Sequence, residues 1–246
     1  MIRLVFILLL VVIFLVGMIP FMFILWVLGL LWPNVKARVS LVVVNVAFRI
    51  LKFLCGTKLI VLGRDKIPRD TAVLYVGNHR SFFDIILTYP LVLRRTGYVA
   101  KKEMNKVPLL RVWMRYLDCI FLDRQNIREG LKSILLAVEK MKSGISICIF
   151  PEGTRNKVAD TFLPFHEGSL KIAEKAKAPI VPMTIVNSAA IFEDHFPKIK
   201  RATVVLEYGD PIYPDTLKEV AGKAPGNYVF KIIEETYFRN KKEYGL

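Results

Sequence analysis

The chain has 246 residues, enough for one globular domain with a modest appendage, and 54% of them are hydrophobic. A mean hydropathy of +0.41 excludes an ordinary soluble enzyme and points to a membrane partner. Lys and Arg outnumber Asp and Glu by 36 to 21, a net charge of +15 that suits an anionic phospholipid bilayer, an anionic substrate or an acidic carrier. No nucleic-acid motif accompanies the charge, so no nucleic acid is expected as a partner. Cys55, Cys119 and Cys148 are widely spaced with no CxxC pair, and read as small apolar residues in a reducing compartment.

Residues 4–32 carry no charge. As one helix that run would be roughly 43 Å long, against a hydrocarbon core of ~30 Å. Gly17 and Pro20 interrupt it near the middle, so the run either spans or breaks and inserts shallowly. A cleaved signal peptide is the alternative, but no clear small-x-small cleavage site is present. After a turn at Pro33 and Asn34, residues 36–54 read as a second helix on which Arg38, Asn45, Arg49 and Lys52 fall within roughly 60° of one another at 100° per residue. Arg38, Arg49 and Lys52 are therefore candidate membrane-binding residues, and residues 1–55 are expected to form a membrane-anchoring helical pair. The competing reading packs this second helix on the remaining domain.

Residues 56–246 alternate short β-branched runs with helical segments, which predicts an α/β domain with a mixed, mainly parallel sheet flanked by helices. The expected strands are 59–62, 72–76, 97–100, 119–122, 145–150, 180–185 and 203–208. Helices are expected at 81–93, 109–116, 127–142, 168–176 and 228–240, with 214–226 a loose surface segment.

Two strand exits carry the unusual chemistry. In NHRSFFD, residues 78–84, His79 and Asp84 are five residues apart across a strand-to-helix turn. A carboxylate there fixes the imidazole tautomer and stabilises imidazolium, leaving the other nitrogen as a general base toward a hydroxyl. Ser81 and Asp84 also read as S-x-x-D, an ordinary capping box, and the spacing alone does not separate the two. In FPEGTRN, residues 150–156, Gly153 allows close backbone approach, Thr154 is a donor, and the planar fork of Arg155 suits phosphate oxygens. Glu152 either orients Arg155 or accepts from a substrate hydroxyl; a solvated turn is the bland reading. Lys101, Lys102 and Arg124 follow other strands, and three basic exits on one edge would make an anion pocket. A G-x-S-x-G elbow, a Walker A loop and a G-x-G-x-x-G turn are all missing. With only His79, His166 and His195 available, a metal has few ligands; neither a metal nor a cofactor is expected.

NHRSFFD and FPEGTRN resemble the NHxxxxD and FPEGTR blocks of the glycerolipid acyltransferases, a family that includes 1-acyl-sn-glycerol-3-phosphate acyltransferase. YVAKKE with Pro108, CIFLDR at 119–124 and IVPM at 180–183 resemble its other blocks in the same order, so the likeness spans residues 74–185. It implies a membrane-associated α/β acyltransferase at the cytoplasmic face, with lysophosphatidic acid as acceptor and acyl-CoA or acyl carrier protein as donor. Carried over by position, His79 would be the base and Asp84 its partner. Arg124, Glu152, Gly153 and Arg155 would bind the acceptor, with Lys101 beside its phosphate. Many members have two lysines where this chain has His166 and Glu167.

The expected mechanism uses no acyl-enzyme: the alkoxide of the acceptor attacks the thioester, and backbone N–H groups at the start of the Ser81 helix stabilise the oxyanion. Transfer to glycerol 3-phosphate or another lysolipid, a non-catalytic module binding anionic lipid, and a hydrolase using Ser81 are the competing readings.

Overall fold

Short apolar runs separated by helices build a seven-stranded sheet in the computed structural model, which describes residues 1–222 and 224–246. The strands are β1 (Lys58–Leu62), β2 (Leu74–Gly77), β3 (Thr96–Lys101), β4 (Ile120–Leu122), β5 (Ser146–Ile149), β6 (Ile180–Val186) and β7 (Thr203–Tyr208). Their order is β1-β7-β6-β2-β5-β3-β4, and every neighbouring pair is parallel except β6 with β7. The expected mixed, mainly parallel sheet is therefore what forms. Its consequence is positional: β2 to β6 all run the same way, so their carboxyl ends share one edge, the usual ligand edge of an open α/β sheet.

Both faces of the sheet are covered, which is why its central strands read as continuous apolar runs rather than alternating ones. The helices are α1 (Ile2–Gly17), α2 (Ile19–Leu31), α3 (Pro33–Cys55), α4 (Phe83–Thr88), α5 (Pro108–Tyr116), α6 (Ile127–Lys142), α7 (Lys171–Ala176), α8 (Pro214–Ala221) and α9 (Pro225–Tyr244). Tyr75, Cys148 and Val181, side by side in register, share a core with Val44 of α3, Leu87 of α4 and Trp113 of α5. Leu74, Val76, Ile147 and Ile149 pack instead with Val138 of α6, Ile172 of α7 and Val229 of α9.

The N-terminal segment is three helices, not two. Its uncharged run bends by 45° between α1 and α2. Pro20 lies in the first turn of α2, where a missing N–H breaks no helical bond. Among the described residues no single helix is long and apolar enough to cross a membrane; α1 and α2 reach that length only together, as a bent pair. Ile7, Met22 and Leu25 join the core beneath the sheet, and the Tyr116 hydroxyl donates to the Met22 carbonyl at 3.0 Å. Helix α3 is two-sided. It buries Ala37, Ser40 and Val44 and turns Val42, Val46, Ile50 and Phe53 to solvent, beside the exposed Arg38 and Arg49 and the half-buried Lys52.

Three other expectations shift. The helix expected over 81–93 stops at Thr88 and passes into a 3-10 turn, Tyr89–Leu91, because Pro90 has no N–H to continue the ladder. The one expected over 168–176 is reduced to α7. The segment expected to be loose contains α8, opened by Pro214 and Asp215 and anchored by buried Leu217, while residue 223 lies outside the described residues.

Candidate active site

β2 delivers the NHRSFFD turn to the ligand edge, and Asn78 locks its exit. The Asn78 amide donates to the Ile185 carbonyl at 2.8 Å and accepts from the Ile185 N–H at 2.8 Å, tying β2 to β6. His79 Nδ1 then lies 2.7 Å from Asp84 Oδ2. A carboxylate only accepts, so Nδ1 carries the proton and Nε2 is the nitrogen left for chemistry. The same Oδ2 accepts from the N–H groups of Arg80 at 2.9 Å and Ser81 at 2.8 Å, while Ser81 Oγ accepts from the Phe83 N–H at 2.9 Å. The capping box and the His–Asp pair, alternatives in the sequence, are one arrangement. Asp84 is fully buried, and its Oδ1 has no partner among the described residues. The imidazole stacks on Phe150, with centroids 4.3 Å apart and planes 14° from parallel.

β5 delivers FPEGTRN beside it. Glu152 is not placed as expected: it is buried, and both carboxylate oxygens are taken by backbone, Oε1 by the His79 N–H at 2.8 Å and Oε2 by the Leu163 N–H at 3.0 Å. Burial pushes its carboxyl pKa up, against the pull of those two donors. Glu152 therefore splices the two motifs together, and the His79 carbonyl completes the splice by accepting from the Asn156 N–H at 2.8 Å.

The basic residues gather around this splice. Gly153 has φ +75°, a conformation that favours glycine, and a Cβ there would stand 3.0 Å from Nη1 of Arg124. The glycine thus seats the guanidinium of Arg124 against the FPEGTRN turn. Arg124 is exposed and makes no hydrogen bond or ion pair among the described residues; desolvation by its neighbours lowers its pKa, and Glu103 pulls it back up. Exposed Lys101 donates to Thr154 Oγ1 at 3.2 Å. Arg155 lies over the Phe82 ring at 3.6 Å, with Nη1 3.2 Å from Glu193 Oε1. Lys101, Arg124, Gly153, Thr154 and Arg155 are thus brought to one edge with His79, whereas Lys102 pairs with Asp123 at 2.6 Å.

One further expectation changes. The amides at the helix start are not free for an oxyanion: those of Arg80 and Ser81 go to Asp84, that of Phe82 to Glu193 at 2.8 Å and that of Phe83 to Ser81. Glu167 accepts from the Gly226 N–H at the start of α9 at 2.8 Å. Sequence reasoning missed Asn78, Phe150 and Glu193. Glu193 follows β6, and only the adjacency of β6 to β2 brings it to the site.

A family model described as Acyltransferase matches residues 58–186. The chain is 30% identical over 198 residues to a "Probable 1-acyl-sn-glycerol-3-phosphate acyltransferase" of Mycoplasma pneumoniae, a match covering 75% of this chain and 73% of that protein. It is 34% identical over 160 residues to the 1-acyl-sn-glycerol-3-phosphate acyltransferase of Borreliella burgdorferi, covering 63% of this chain and 62% of that one. The fold is similar to the crystal structure of the 1-acyl-sn-glycerophosphate acyltransferase PlsC from Thermotoga maritima, with a TM-score of 0.79 over 97% of this chain and 95% of that one at 20% identity. By the family model and the Mycoplasma relative together, the chain belongs to the acyltransferase family.

Proposed function

We propose that this acyltransferase moves an acyl group from a thioester to the 2-hydroxyl of 1-acyl-sn-glycerol 3-phosphate, forming phosphatidate at a membrane surface. The observation that carries the reading is the 2.7 Å contact between His79 Nδ1 and buried Asp84, beside cations that suit a phosphate. The names of the relatives support the choice of acceptor. His79 Nε2 takes the proton of the 2-hydroxyl as its oxygen attacks the thioester carbonyl; collapse of the tetrahedral intermediate breaks the C–S bond, and the imidazolium returns the proton to the thiolate. Asp84 offsets the imidazolium charge. Arg124, Thr154 and Arg155 hold the acceptor's phosphate with Lys101 beside it, Gly153 gives Arg124 its seat, and Glu152 positions His79 rather than touching substrate.

The donor is acyl-CoA or acyl carrier protein, both made in the cytosol, which puts this edge of the sheet at the cytoplasmic face. The exposed apolar residues of α1 and α2, with the Val42–Phe53 side of α3 and its Arg38, Arg49 and Lys52, support docking on an anionic bilayer.

Purified protein in detergent, given lysophosphatidate with labelled acyl-CoA or acyl carrier protein, is expected to make phosphatidate, and His79→Ala to lose at least ~10²-fold in kcat while staying folded. Folded wild type yielding no product with either donor would overturn the acceptor and reaction; full turnover by His79→Ala would remove the base.

A further inference from the structure

Between β6 and β7 the chain carries two adjacent carboxylates, in the 3-10 turn Glu193–His195, and both reach back to the NHRSFFD turn. Asp194 pairs with Arg80 at 2.8 Å. Glu193 makes three contacts. Its Oε2 accepts from the Ser81 hydroxyl at 2.7 Å, and its Oε1 accepts from the Phe82 N–H at 2.8 Å and from Arg155 Nη1 at 3.2 Å. The ion pair is not sealed, since 35% of the Arg155 side chain and 20% of that of Glu193 remain exposed. Arg155 therefore differs from Arg124: it already has an anion.

A phosphate reaching Arg155 must take Nη1 from Glu193 or share the guanidinium with it. In either case a fixed negative charge stands a few ångströms from a dianion and repels it. The 2-acylation leaves the phosphate unchanged, so this repulsion acts alike on acceptor and product. Such a uniform effect lowers affinity without altering the chemical step.

We propose that Glu193 competes with the lipid phosphate for Arg155, setting the affinity for acceptor and phosphatidate together and easing release of the product. This rests on the reading of Arg155 as a phosphate ligand. The sign separates it from a purely orienting role. A Glu193 that only aimed Arg155 would help phosphate binding, and its loss would raise KM; a competitor's loss lowers it.

The test uses the full chain in detergent micelles with lysophosphatidate as variable substrate and phosphatidate as product inhibitor. Glu193→Gln keeps a carbonyl for the Phe82 N–H and removes the charge. It is expected to lower the acceptor KM by about three- to fivefold and the phosphatidate inhibition constant by the same factor, without raising kcat. Arg155→Ala is expected to raise KM, and adding Glu193→Gln to it to lower KM by clearly less than in the wild-type background, because the competition for the guanidinium is gone and only the direct repulsion remains. A raised KM in Glu193→Gln, an unchanged one, or an equal fall in the Arg155→Ala background would overturn the proposal while leaving Arg155 as a ligand. An Arg155→Ala enzyme with unchanged KM would instead overturn the phosphate reading of Arg155, and the proposal with it. Should Glu193→Gln fail to fold, Glu193→Asp, which withdraws the carboxylate by one methylene, is expected to shift both constants in the same direction.

Discussion

The catalytic turn and the cationic rim beside it are built on opposite terms. Around His79 the donors are spent: Asp84 Oδ2 takes three, Glu152 takes two, and the amides from Arg80 to Phe83 all have protein acceptors. On the rim, Lys101 has a single hydroxyl, Arg124 has no partner among the described residues, and Arg155 has a half-open ion pair. A base must already be oriented when the substrate arrives, and hydrogen bonds made in advance do that at no cost during the reaction. A phosphate ligand gains more if its donors are still unsatisfied. The contrast separates residues that set kcat from residues that set KM.

That separation can be broken most sharply at Asp84. Asn at this position can keep its carbonyl oxygen on the imidazole, Arg80 and Ser81 donors and turn its NH2 to the place of the unpartnered Oδ1, so the turn and the tautomer survive while the charge is lost. Asp84→Asn is expected to lower kcat by roughly 10- to 100-fold with little change in acceptor KM. Steady-state kinetics on folded protein decide it, and a loss confined to KM would put Asp84 on the rim. Arg124→Ala should do the reverse, raising acceptor KM by about tenfold and sparing kcat, because a phosphate loses a forked partner that no carboxylate now holds. A fall in kcat alone would show Arg124 acting on the reacting atoms.

Much of this was legible in the residues. Strand exits are marked by Gly77 and by Pro151 to Gly153, so the polar groups after them had to reach one edge once the strands ran parallel, and His79 to Asp84 is a local spacing that a turn alone closes. What was not legible depended on partners far away in the chain. Glu152 read as a ligand because its acceptors' donors, the His79 and Leu163 amides, belong to another strand exit and a later loop. Glu193 lies 38 residues from Arg155 and meets it only because β6 pairs with β2. The oxyanion expectation failed for the same reason: the amide of Phe82 looks free until a carboxylate from the β6–β7 connection reaches it. The helix over 214–221 was missed although Pro214 and Asp215 are ordinary first-turn residues, since its one buried side chain, Leu217, gave no periodic pattern.

The smallest effect divides the rim itself. Both side chains are exposed, but among the described residues Lys101 hydrogen-bonds only the Thr154 hydroxyl, whereas the Arg124 guanidinium is held against Gly153 with its fork free to contact the phosphate directly. Replacing Lys101 by Met keeps the stem and removes the charge, and should raise acceptor KM by about threefold at low ionic strength. At about 1 M salt, where the screening length is about 3 Å, wild type and Lys101→Met should converge while Arg124→Ala keeps most of its defect. Parallel salt titrations of the two variants would check this. If the Lys101 defect persisted at high salt, the ammonium would be in direct contact with the phosphate rather than attracting it through water, and Lys101 would belong with Arg124.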